Sequence, residues 1–181
     1  MTDTLNPQTT MTRVLEIFPG AQRALFRRYH IGGCASCAFH PGETLAGLCA
    51  RNSLDAAEVI QHIQRSHLQD EELQISATEL AALREAGTVR LVDIRSREEF
   101  DATRIEGAVL LSQPVMQDIL GHWSREELMV LYDHRGRQSL DAAAYFLGQG
   151  FQKVRCLRGG IDAWSREADA KIPRYRLELS S

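Results

Sequence analysis

A chain of 181 residues, 44% hydrophobic and 25% charged, has room for one ordinary soluble domain and a smaller companion. A net charge of -3 without a concentrated basic field excludes nucleic acid as a general partner, and no run approaches the roughly 18 apolar residues of a membrane span. Residues 1–10 are polar and carry no leader-like pattern, so the expected location is the cytoplasm. There, four cysteines speak for redox, metal, sulfur or packing roles rather than structural disulfides.

Residues 1–10 read as a tail, and 11–68 as a helical unit. Thr12 is placed to cap a short helix with Val14, Leu15, Ile17 and Phe18 apolar, stopped by Pro19-Gly20. A second helix is expected over 21–29, with Ala24, Leu25 and Tyr29 inward and Arg23, Arg27 and Arg28 solvated. Gly32 and Gly33 break it, and Cys34-Ala35-Ser36-Cys37 follows. A helix over 43–50 comes next. The last helix of the unit starts at Asn52 or Ser53 and runs to 67, with Ala56, Val59, Ile60 and Ile63 on one face.

The acid-rich stretch 69–75 reads as a linker, and 76–175 as a second domain followed by a tail over 176–181. After a helix over 76–85, β-like and helical runs alternate: 89–94, 98–103, 109–111, 126–128, 129–132, 140–147, 154–157 and 161–166. Alternation with short connections implies a doubly wound, mainly parallel sheet, in which ligands sit beyond the carboxyl ends of the strands.

At one such end stands Asp133-His134-Arg135-Gly136-Arg137-Gln138-Ser139, between the apolar run Met129-Val130-Leu131 and a helical run. A strand entering a polar, glycine-containing loop that opens a helix is a ready anion site, because loop and first-turn N–H groups converge and the helix dipole adds positive charge. Arg135 and Arg137 reinforce that sign. His134 is expected to face solvent, with proton shuttling as the sharper alternative. Asp93 and Arg95 end the first strand of this domain on the same rim, as a hydrogen-bonded strand end and surface arginine or as ligand-facing groups. Gly159-Gly160 suits the turn after the last strand.

Cys34 and Cys37 form a Cys-x-x-Cys after two glycines and near a helix start, a setting that can lower a thiol pKa, close a disulfide or hold a metal. Two packing residues at a turn are the plainer alternative. Cys49 lies on an apolar helical stripe and Cys156 in a β-like run, so both default to core; for Cys156 a resolving role against the loop is the sharper idea. His62 and His67 invite a zinc set with Cys34 and Cys37, but 24 residues between Cys37 and His62 are twice the finger spacing.

Several motifs fall in sequence around the loop: Leu91-Val92-Asp93-Ile94-Arg95 with Glu98-Glu99-Phe100; Arg104-Ile105-Glu106-Gly107-Ala108-Val109; Gly150-Phe151-Gln152-Lys153-Val154; and Leu157-Arg158-Gly159-Gly160-Ile161-Asp162-Ala163-Trp164. In this order they resemble a single rhodanese domain, the persulfide-forming sulfurtransferase fold. The resemblance implies an α/β doubly wound parallel sheet, preceded here by a small all-helical domain. The family loop begins with a nucleophilic cysteine in a Cys-x-x-Gly-x-x-Ser pattern. Gly136 and Ser139 match that pattern, while Asp133 stands at the cysteine position. A carboxylate cannot take up sulfane sulfur, so thiosulfate sulfurtransferase activity through this loop is expected to be missing. An aspartyl-phosphate role lacks an accompanying metal-holding carboxylate cluster.

The front unit has Phe18-Pro19-Gly20, Gly33-Cys34-Ala35-Ser36-Cys37, Glu43-Thr44-Leu45 and Cys49. It resembles the small cysteine-containing domain associated with hybrid-cluster proteins and related redox proteins. That resemblance raises the chance that Cys49 faces the pair, giving a redox or sulfur relay through Cys34, Cys37 and Cys49 or three ligands for a metal or iron–sulfur centre. No cofactor is expected in the first reading; an iron–sulfur cluster or zinc is the alternative. The expected partner is a sulfur-transfer or redox protein, with a non-catalytic interaction module as the rival function. The residues give no oligomeric state.

Overall fold

The computed structural model describes residues 5–32, 39–40, 42–87 and 89–174. The chain divides into two compact units, one ending at Glu72 and the other beginning at Leu73.

The first unit is helical: α1 (Met11–Ile17), α2 (Ala21–Tyr29), α3 (Leu45–Arg51) and α4 (Ala56–Glu72). Its core gathers Met11, Val14, Leu25, Leu45, Leu48, Val59 and Ile63. Three expectations change here. Residues 5–10 are no frayed tail, because Leu5 is buried and the backbone is tied to the α3 entry: Pro7 and Thr9 carbonyls accept from the Ala46 and Leu45 amides at 2.7 and 2.9 Å. The cap of α1 is Thr10 rather than Thr12, its hydroxyl accepting the Arg13 amide. Nor does 69–75 form a linker. Asp70 is buried and pairs with Arg23 of α2, which carries α4 on to Glu72, and Gln74–Ile75 forms a strand.

The second unit holds β1 (Gln74–Ile75), α5 (Ala77–Glu85), β2 (Val89–Asp93), α6 (Arg97–Ala102), β3 (Val109–Leu110), α7 (Gln113–His122), β4 (Leu128–Tyr132), α8 (Gln138–Gly148), β5 (Val154–Leu157) and α9 (Gly160–Glu167). The sheet order is β1-β5-β4-β2-β3 and every pairing is parallel. Successive side chains on a strand point to opposite faces. Leu91, Val130, Tyr132 and Leu157 accordingly pack in one layer with Leu80, Ile161 and Trp164. Val92, Met129, Leu131, Val154 and Cys156 pack in the other with Ile119, Leu140 and Phe146. Both faces are covered, which is why β4 at the centre reads as a continuous apolar run rather than an alternation. Ser76 and Ser96 open α5 and α6 with capping boxes to Glu79 and Glu99.

Candidate functional site

The loop of residues 133–137 leaves the carboxyl end of β4 and opens α8. Arg137, at the helix N-cap position, offers no side-chain cap. Asp133 supplies that acceptor from four residues upstream: Oδ1 accepts the Gly136 amide, and Oδ2 accepts the Arg137 and Gln138 amides at 3.0 and 2.6 Å. One carboxylate thus takes three amides at the positive end of a helix, where an anion is favoured both by charge-assisted hydrogen bonds and by the dipole. Asp133 is buried, whereas Arg135, Arg137 and Gln138 are exposed around it. Ser139 is fully buried, and its carbonyl accepts the Cys156 thiol at 3.1 Å. The resolving idea for Cys156 gains no reach from this contact, which is to backbone.

The loop is held from the far side by α9. The Asp133 and His134 carbonyls accept the Ile161 and Asp162 amides at 2.9 and 3.2 Å. This docking corrects the expectation for His134, which is buried rather than solvent-facing. Arg174 Nε donates to Asp162 at 2.9 Å, and this bond, followed by the charges of Arg174 and Arg166, holds the Asp162 carboxyl below its ordinary range.

Close approach of the two backbones demands glycine. Gly136 has φ +75°, and a Cβ there would lie 2.7 Å from both the Gly159 nitrogen and the Leu157 carbonyl oxygen. Gly160 has φ +61°, and a Cβ there would lie 2.4 Å from the Asp133 carbonyl oxygen. Gly160→Ala combines left-handed strain with a backbone clash and is expected to cost roughly 2–5 kcal/mol. Urea unfolding of the full chain, followed by a probe in the second unit, measures this.

Asp93 and Arg95 lie beneath this rim, not on it. Asp93 ends β2 in register with Tyr132 of β4. Arg95 Nε and Nη2 reach the Asp93 carboxylate at 2.9 and 2.5 Å, Nη2 also donates to the Thr103 carbonyl at 2.7 Å, and both side chains are almost wholly buried. The expected surface arginine is therefore a buried one. It is neutralised by its neighbour two residues back and stacks over the Tyr132 ring at 5.6 Å. Burial, followed by the charge of Asp93, pushes the Tyr132 phenol far up, so it stays a hydrogen-bonding group. Its oxygen accepts the Ile105 amide at 3.3 Å. Thr103 and the part played by the Tyr132 hydroxyl escaped the sequence reading, although a tyrosine ending an apolar strand signals a buried hydroxyl that needs a partner.

Cys34 and Cys37 lie outside the described residues. Cys49 is buried in the first unit's core, where desolvation and then the charge of Asp55 push its thiol up. A raised pKa keeps it a thiol below that value, so native Cys49 and the enclosed Cys156 are expected to resist iodoacetamide at pH 8 and to react only on unfolding. Peptide mapping of the alkylated chain measures this. His62 Nε2 lies 2.9 Å from the Ala24 carbonyl, and the His67 ring packs edge-on against Phe18 with centroids 4.9 Å apart. Among the described residues, no group of three or more histidine, cysteine, aspartate or glutamate side chains is placed to hold a metal ion. No helix among them is long and apolar enough to cross a membrane.

The family model described as the rhodanese-like domain matches residues 76–167. A thiosulfate sulfurtransferase GlpE of Shewanella oneidensis is 34% identical over 96 residues, covering 53% of this chain and 94% of that protein. Another GlpE, of Pseudomonas savastanoi, is 34% identical over 91 residues, covering 50% of this chain and 85% of that one. Among solved structures, a rhodanese-like domain protein from Staphylococcus aureus is similar at 26% identity and a TM-score of 0.46, over 57% of this chain and 98% of that one. A human single-domain sulfurtransferase is similar at 26% identity and a TM-score of 0.46, over 52% and 96%. On the match to its second unit, the chain belongs to the rhodanese-like domain family.

Proposed function

We propose that Asp133 occupies the position of the family's nucleophilic cysteine, and that the rhodanese-like domain here is not a thiosulfate sulfurtransferase through that loop. The observation that carries this reading is the carboxylate already seated on the Gly136, Arg137 and Gln138 amides. In a sulfurtransferase, such donors stabilise a thiolate and then a persulfide anion. A thiolate attacks the outer sulfur of thiosulfate, forming a new S–S bond as sulfite leaves with the old bond's electron pair. A carboxylate oxygen is too hard and too weakly nucleophilic for that step. Asp133 instead fills the cradle and excludes outside anions, which leaves the domain as a docking or scaffold module.

The chemistry then belongs to Cys34 and Cys37 in a reducing, cytoplasmic setting. One thiolate takes the sulfane sulfur from a donor as a persulfide. The other attacks the sulfur-bearing cysteine's inner sulfur, releasing hydrosulfide and closing a Cys34–Cys37 disulfide that a dithiol partner protein must reduce. Incubation of the full chain with thiosulfate or a low-molecular-weight persulfide, followed by peptide-level mass spectrometry, tests this. Added sulfur or a disulfide at Cys34 or Cys37, with none in the loop peptide, is the expected result. If Cys34 and Cys37 neither acquire sulfur nor oxidise, the reading fails in favour of a non-catalytic interaction module. Iron or zinc bound to anaerobically purified protein would favour the metal alternative.

A further inference from the structure

The first unit carries a groove between α2 and α4, of about 380 Å³, that the chemistry above does not use. Its walls are two helical stripes. Ala24, Arg27 and Arg28 stand at i, i+3 and i+4 on α2, and His62, Arg65, Ser66 and Gln69 stand at i, i+3, i+4 and i+7 on α4. Among the described residues, no carboxylate lines it. The other described arginines of this unit are each neutralised: Arg13 by Glu16, Arg23 by Asp70 and Arg51 by Glu43. Arg27, Arg28 and Arg65 have no such partner among the described residues, and the sequence puts no acid three or four positions from any of them. Three exposed guanidinium groups are therefore held around one concavity, on a chain whose net charge is -3. Like charges side by side repel one another, and an anion of matching shape relieves that repulsion.

The geometry points to an acidic, extended segment of a partner protein as the occupant. The α4 stripe from His62 to Gln69 spans roughly 10 Å at 1.5 Å per residue, close to three residues of extended chain at about 3.3 Å each. A free tetrahedral oxyanion covers only part of that length. Arginine forks grip planar carboxylates in pairs, whereas Ser66 and Gln69 supply neutral donors for peptide carbonyls.

Fluorescein-labelled hexaglutamate, titrated by anisotropy against the full chain at low salt, tests this proposal, with hexaglutamine as the neutral control. Hexaglutamate is expected to bind and hexaglutamine not. Single Arg27→Gln and Arg65→Gln changes should each weaken binding about fivefold, and the three arginines together on the order of a hundredfold. The thermal midpoint should stay put, because the three side chains are exposed; the single variants carry the test if the triple variant does not fold. Absence of hexaglutamate binding, or binding unchanged in the arginine variants, overturns the proposal. Full displacement of hexaglutamate by sodium sulfate at equal carboxylate-equivalent concentration also overturns it and makes the groove a free-oxyanion site.

Discussion

Asp133→Cys, made in a chain whose Cys34 and Cys37 are serines, is expected to gain a persulfide from thiosulfate where its Asp133 parent gains none. The three amides that hold the carboxylate sit at the start of α8 and would receive a thiolate instead. A helix N-terminus lowers a cysteine pKa into the range of about 3.5–7.5, so the new thiol would be largely ionised at neutral pH. Gly136 and Gly160 already allow the backbone approach that shapes the cradle, and the substitution alters neither. Intact-mass analysis after incubation with thiosulfate should show about one added sulfur per chain, removable by cyanide, on the single-thiolate logic of the loop. A variant that folds yet takes up no sulfur would show that the loop lacks more than its nucleophile.

The second large effect lies under the loop. Asp93→Ala and Arg95→Ala should each destabilise the second unit by about 3–5 kcal/mol, because each leaves its partner's charge buried and uncompensated. Asp93 is 0% and Arg95 7% exposed, so solvent offers neither a substitute. Replacing both with apolar residues of similar volume should recover most of the loss, since a buried ion pair contributes little net stability once its desolvation is counted. Chemical denaturation of the two single variants and the double variant gives the coupling directly. Additive losses would place Asp93 and Arg95 in separate roles and remove the pair as the support of the β2–β4 rim.

The parallel α/β architecture was legible because strands buried on both faces announce themselves. Leu91-Val92 and Met129-Val130-Leu131 are continuous apolar stretches, the 154–157 run is apolar but for Arg155, and helical stretches separate them. The β1 strand was not legible: two residues ending an acidic stretch carry no periodicity, and only pairing with β5 makes them a strand. The α7 helix left a readable trace that went unused. Ser112 caps it, Pro114 sits in its first turn, and Val115, Met116, Ile119 and Leu120 make a stripe facing the core. At the site, the composition of the Asp133 loop showed an anion cradle, but not that the side chain folds back to fill it. Burial of His134 and Arg95 was hidden for a related reason. Both are enclosed by elements far away in sequence, α9 over one and the Thr103 carbonyl with Tyr132 over the other, and local polarity reads such residues as exposed.

The most direct measurement is thiosulfate-to-cyanide sulfur transfer by a folded chain carrying Cys34→Ser, Cys37→Ser and Cys49→Ala. With a carboxylate in the loop and no thiol in the front unit, turnover should fall to the uncatalysed background. Transfer well above that background, and as fast as that of the unaltered chain, would contradict the account, because sulfur would then be passing through a loop that has no sulfur to receive it.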